Sequence, residues 1–249
     1  VADAALWSRL MPAAPPPADP LAPEALAALA LPHARFGGGT RWSLTGLGIV
    51  LEAGELPAFP AQEAMIRRIL AGFGAPLQAS SRRHRLPVEL LAACIATESG
   101  GDPLAERQEP GFRSYEATPH RVSIGCMQTL VSTASAVLRR PVAPEELRRP
   151  EVSIAAGAAC IAEAAPRTLL DPPVVACAYN AGAVRHDPSP SNRWRMLQYP
   201  GGTGAHADRY CGFFNAAFRL FRRDAGLAAQ FFTFAAQPVA SAEPAPPRP

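Results

Sequence analysis

The 249-residue chain lacks several signals, and each lack closes off a class of function. No apolar run reaches the roughly 20 residues that a helix needs to cross a bilayer, so no membrane span is expected. The opening stretch "VADAALWSRLMP" has neither the charged start nor the long apolar core of a secretory signal. A leader has been removed, export uses another route, or there is none. The five cysteines (Cys94, Cys126, Cys160, Cys177 and Cys211) form no C-x-x-C pair, and their number is odd. Most sit among apolar residues and read as buried free thiols. His84, His120, His186 and His206 lie at no familiar zinc-ligand spacing from them, which argues against a metal site. No G-x-S-x-G elbow is present to support a serine hydrolase. Charge of one sign is scarce as well, with a net of only +3. Arginine dominates the basic side, but the pairs Arg67-Arg68, Arg82-Arg83, Arg139-Arg140, Arg148-Arg149 and Arg222-Arg223 are dispersed, with no aromatic stacking motif between them. They read as solvated helix faces with a mild attraction to an anionic polymer, and nucleic acid is not an expected partner.

What the chain has in plenty is proline, and it is unevenly spread. Of the 28 prolines, 11 crowd into the two short tracts "PAAPPPADPLAP" and "PVASAEPAPPRP". Such tracts resist helix and sheet and read as extended linkers or tails, suited to a tethering or secretion partner. The expected organisation is a Pro-rich extension over 1–57, a main domain over 58–233 and a Pro/Ala-rich tail over 234–249. "TRWSLTGLGIVLEAGE" alternates around glycines and predicts a β-hairpin at about 40–55.

In the main domain, "AQEAMIRRILAGFG" puts Met65, Ile66, Ile69, Leu70 and Phe73 on one helical face. A second helix is expected after Pro87, with that proline in the first turn and Gly100-Gly101 as a left-handed stop. From Asp102 to Val122 the chain is polar and irregular, a loop long enough to be functional. Helical patterns resume in "LVSTASAVLRR", "EVSIAAGAACIAEAA", "PPVVACAYNA" and "HADRYCGFFNAAFRLFRRDAG", with Asp171 as an N-cap. Strand-like alternation is absent after residue 60, so the domain is expected to be all-helical or nearly so.

Three helix ends carry the candidate chemistry. Glu98 closes the apolar run "VELLAACIATE", sharing a face with Leu91, Cys94 and Ile95. If that face meets the core, desolvation and the negative end of the helix dipole both raise its pKa, and a carboxyl kept protonated near neutral pH can serve as a general acid. In "VSIGCMQTL", Gly125 permits close approach of another backbone, Gln128 offers an amide to a polar substrate, and Met127 is otherwise a packing residue. In "ACAYNAG", Tyr179 and Asn180 end an apolar helix before Gly182. They are either simple terminators or groups projecting into the crevice of Glu98.

The conjunction E-S-G, G-x-M-Q, A-Y-N-A-G in this order resembles the catalytic domain of soluble lytic transglycosylases, the lysozyme-like glycoside hydrolase family 23. The likeness runs from about Pro87 to Gly182 and more weakly to about Asn215, with Cys126 where the family usually has leucine. It implies a mainly α, lysozyme-like fold with the small hairpin and Pro-rich flanks appended. It implies Glu98 as the catalytic acid and Ser99 as its hydrogen-bonding neighbour. Gly125, Met127 and Gln128 would form a cleft motif, and Tyr179 and Asn180 would orient the acid and the sugar. Tyr210 of "DRYC" is a cleft candidate at a spacing that departs from the family. The implied partner is peptidoglycan, in the periplasm or at the cell wall. The implied reaction cleaves the MurNAc-β-1,4-GlcNAc bond with one acid and no metal or cofactor, closing a 1,6-anhydro ring.

A hydrolytic muramidase would need a second carboxylate across the cleft. Asp102, Glu106, Glu109 and Glu116 are available in the long loop, Glu116 being the one singled out. A catalytically silent wall-binding module is the reading from another class, and the intact Glu98 argues against it.

Overall fold

Every residue from Val88 to Thr97 is buried, so this run packs on all sides and has no solvent face. It forms helix α3 (Val88–Glu98), around which the rest is arranged. The computed structural model describes residues 19–57 and 61–237. Helix α1 (Pro23–Ala30) and the antiparallel hairpin β1 (Trp42–Thr45) and β2 (Gly48–Leu51) come first. Helix α2 (Gln62–His84) then leads to α3. A small antiparallel sheet follows, made of β3 (Glu106–Gln108), β4 (Val122–Ile124) and β5 (Thr129–Leu130) in that order. The remaining helices are α4 (Val131–Leu138), α5 (Pro144–Leu147), α6 (Pro150–Thr168), α7 (Pro172–Ala181), α8 (Ala205–Arg223) and α9 (Ala225–Ala228). Helix α3 packs mainly against α2 and α8.

Helix α2 runs further than its first apolar face, through Pro76 to His84. Pro76 has no N–H to donate and its ring crowds the preceding turn, which bends the helix. The bend falls at Phe73, whose φ of −125° is not helical. Ile66, Ile69, Leu70 and Phe73 are buried as expected, while Met65 is only partly so. Pro87 is the residue that caps α3 rather than one in its first turn.

The sheet β3–β5 corrects the expectation of no strands after residue 60. Its strands are two or three residues long, and Glu106, Arg107 and Gln108 are all exposed, so no alternation could show in the sequence. The sheet folds the long polar segment against a second, smaller core of Val122, Ile124, Val131, Ala134, Val142, Leu147 and Ala156, with Phe112 and Tyr115 over it.

The hairpin joins the main core. Trp42 is fully buried, packs edge-on against Trp194 with centroids 5.2 Å apart, and donates its Nε1–H to Asp171 at 3.0 Å. Asp171 stands at the N-cap of α7, yet its carboxylate serves Trp42 and His33 instead of the helix. Residues 19–23 of the first proline tract form a turn that buries Leu21 and enters α1 at Pro23. Phe234, just past the expected end of the domain, is fully buried against Phe214. The tract "PVASAEPAPPRP" lies outside the described residues. All five cysteines are free.

Candidate active site

Glu98 is the last residue of α3, and the chain must leave at once if its carboxyl is to reach solvent. Gly100 and Gly101 take φ of +65° and +88°, the left-handed region that favours glycine. A Cβ on Gly101 would sit 3.3 Å from Ile69, so the turn also packs onto α2. The Glu98 side chain is left 17% exposed, open enough to meet a ligand and otherwise surrounded by protein. Burial pushes its pKa up to about 7, and Arg107 of β3 and Arg209 of α8 pull against that rise.

The three motifs meet through two consecutive carbonyls. Ser99 Oγ donates to the Cys126 carbonyl at 2.8 Å, and Tyr179 Oη donates to the Met127 carbonyl at 2.8 Å. The turn of G-C-M-Q is thus the hub that holds the end of α3 to the end of α7. The hub is itself fixed from behind. Ser153 Oγ of α6 accepts from the Met127 N–H at 3.1 Å, and Met127 fills the space that a side chain at Gly157 would take. Gly125, at φ +85°, lets the Leu147 carbonyl pass so close that a Cβ would lie 2.1 Å from it.

Helix α8 closes the site from the other side. His206 Nε2 lies 3.5 Å from Glu98 Oε1, and its Nδ1 lies 3.4 Å from Asn180 Nδ2. Burial first, and Arg209 second, pull the ring's pKa down to about 4. The pair is therefore an uncharged imidazole beside an acid whose pKa has been raised to about 7.

Residues 75–195 match the family model of the transglycosylase SLT domain. This segment belongs to that family. No curated protein matches the chain. The protein thus carries a lysozyme-like, mainly helical SLT domain, of a family of lytic transglycosylases that act on peptidoglycan. The matched span ends before α8, so His206 and Arg209 reach Glu98 from beyond it.

Within the SLT domain the sequence-chosen residues part into two groups. Glu98, Ser99, Tyr179 and Asn180 come together at the partly exposed ends of α3 and α7. Gly125 and Met127 are buried and act on the shape of the hub. The Gln128 amide is spent inside the protein. Its Nε2 donates to the carbonyls of Ala105 at 2.9 Å and Gly125 at 3.0 Å, and its Oε1 accepts from Ser123 at 3.1 Å. It pins the β3 wall rather than facing a substrate. Tyr210 corrects the expectation of a cleft residue, being 1% exposed with its hydroxyl donating to the Leu90 carbonyl at 2.9 Å. Among the loop carboxylates, Asp102 accepts from the Leu104 N–H, Glu106 is held by Arg148 at 2.7 Å and by Tyr115, and Glu109 pairs with Arg107 at 3.0 Å. Glu116 is exposed.

Sequence reasoning weighed His206 only as a zinc ligand and did not single out Arg107 or Arg209. The legible signal was spacing: His206 and Tyr210 are four residues apart on α8 and share its inner face. Two surface cavities of about 480 and 450 Å³ lie elsewhere. One lies between α2 and the Leu227–Phe231 segment, the other between the end of α2, α4 and α6, and neither contains a residue of this site.

Proposed function

We propose that the protein cleaves the MurNAc-β-1,4-GlcNAc bond of peptidoglycan as a transglycosylase, with Glu98 as acid and then base, in the periplasm or at the cell wall. One observation carries the reading: Glu98 is set among protein at the end of α3, where burial raises its pKa to about 7, and the charges that pull against that rise are the cations Arg107 and Arg209. Of the loop carboxylates, Asp102, Glu106 and Glu109 have partners of their own in Leu104, Arg148 and Arg107, which favours the one-acid reading over water activation.

The steps balance without water. The Glu98 proton passes to the bridging oxygen as the glycosidic C–O bond breaks. The 6-hydroxyl of the same muramic acid closes on the anomeric carbon, and its proton returns to Glu98. The nucleophile is already attached to the substrate, so ring closure avoids most of the entropy cost of recruiting a separate molecule. Ser99 and Tyr179 hold the frame through the hub, and Asn180 bears on the acid through His206. The proline-rich flanks are read as tethers to the wall or to a secretion partner.

The test is digestion of purified peptidoglycan in heavy-oxygen water with mass spectrometry of the fragments. Unlabelled anhydro ends, lighter by one water than the hydrolysis product, are expected. Labelled reducing ends as the main product would make the enzyme a hydrolytic muramidase. Glu98→Gln is expected to remove roughly two orders of magnitude or more of cell-wall clearing, the scale for loss of a general acid. Because the first step needs the protonated acid, the wild-type rate should fall as pH rises through about 7.

A further inference from the structure

Asn180 has its orientation dictated by the backbone. Its Oδ1 accepts the Tyr199 N–H, which forces its Nδ2 toward His206 Nδ1 at 3.4 Å. An amide N–H so placed needs a lone pair, so Nδ1 is the acceptor and the ring proton sits on Nε2. That Nε2 is buried, with the side chain 9% exposed, and makes no hydrogen bond. Glu98 Oε1 lies 3.5 Å from it.

We propose that His206, oriented by Asn180, is a positioning residue that makes the two oxygens of Glu98 unequal: its Nε2–H addresses Oε1 and leaves the transferable proton on Oε2. The inference rests on Glu98 being the acid. It has a chemical consequence at each step. While Glu98 is protonated, the ring prevents the proton from resting on the wrong oxygen. Once the proton has passed to the leaving sugar, the contact shortens into a hydrogen bond to a carboxylate and stabilises the anion that must next act as base. A donor aimed at charge that develops during reaction acts without reorganisation. The other groups facing Glu98 cannot do this. Tyr210 Oη donates to the Leu90 carbonyl, Tyr179 Oη is taken up by Met127 and Thr129, and Arg107 and Arg209 act through charge. The ring stays neutral throughout, since burial and Arg209 disfavour a second positive charge there.

The test uses the full chain with labelled histidine and carboxyl groups. Nitrogen NMR should find His206 as the Nε2–H tautomer. In Asn180→Asp the side chain has only acceptors, and the proton should move to Nδ1. Removing the donor in His206→Phe should raise the Glu98 pKa by about one unit, as loss of a hydrogen bond to the anion requires. The same variant should cut kcat about tenfold with KM little changed, the cost of one such bond. The basic limb of the pH–rate profile should then move upward, a change that loosened packing does not produce. His206→Gln, which keeps an amide donor, should recover much of the rate. An Nδ1–H tautomer in the wild type overturns the proposal without needing any variant to fold. So does a Glu98 titration unmoved by His206→Gln and His206→Phe alike. Full activity in Glu98→Gln would instead overturn the role of the acid, and the tautomer measurement keeps the two failures apart.

Discussion

A methyl group added to Gly125 would lie 2.1 Å from the Leu147 carbonyl oxygen and 2.7 Å from Ser153 Oγ. Neither neighbour can give way. The first is backbone, and the second holds the Met127 N–H. The residue also sits at φ +85°, so two independent penalties fall on one substitution. Gly125→Ala is expected to cost at least about 2 kcal/mol, read from the denaturant midpoint, and to reduce activity through the hub rather than through substrate contact. Gly182 is the control. It has a similar φ of +72° at the end of α7 but nothing within 4 Å of its Cβ direction. Asparagine tolerates that conformation, so Gly182→Asn should cost under about 1 kcal/mol. Equal losses at the two positions would mean that backbone conformation, not the Leu147 contact, governs the motif glycines.

The elements were unequally legible. Helices α3, α6, α7 and α8 announced themselves as apolar stretches long enough for a helix, and the run from Val88 to Glu98 was visible as a core helix ending in a lone acid. The ends of α3 and α7 could be matched to a common crevice because short motifs mark them. The sheet β3–β5 could not be read, since three exposed residues in β3 carry no period and the order comes from backbone pairing such as Arg107 with Ser123. Nor could the way the hairpin docks. That depends on Asn215 of α8, which is far away in sequence. Its Oδ1 accepts the Ile49 N–H at 2.7 Å and its Nδ2 donates to the Ile49 carbonyl at 2.9 Å, so one side chain behaves like a strand on the edge of β2. Gly48 leaves room for it, as a Cβ there would lie 2.3 Å from Oδ1. Asn215→Ala strands a donor and an acceptor in a buried setting, each worth about 1–3 kcal/mol when unpaired. The expected outcome is a lower urea midpoint and earlier hydrogen exchange at Ile49 than across α3. Unchanged protection at Ile49 would show that Trp42 and Asp171 hold the hairpin without Asn215.

Across the whole molecule, α3 carries a glutamate at each end, and the two have different tasks. Glu98 faces the site. Glu89, in the first turn, is fully buried and accepts the N–H groups of Phe234 at 3.0 Å and Ala235 at 3.0 Å. The Val88 N–H donates to the Phe232 carbonyl at 2.8 Å, so the chain beyond α9 is sewn back onto the start of α3. Burial pushes the Glu89 pKa up to about 7, against the pull of the two backbone donors. The sign of its effect on stability follows from linkage. The folded pKa lies above the unfolded one, so the carboxyl's contribution is fully present below about 4.5 and is lost as pH rises through about 7. That difference corresponds to about 3 kcal/mol at most. Glu89→Gln resembles the neutral acid in shape and keeps one acceptor for the backbone, but it cannot ionise. The variant should therefore match the wild type near pH 4.5 and exceed it at pH 8, with the gap opening between those values. Glu98 titrates in both proteins and cancels from the comparison. Urea titrations across that range decide the matter. A variant weaker than the wild type at pH 8 would mean that the two N–H groups hold Glu89 as an anion, and that the return of the chain onto α3 is clamped by charge rather than by packing.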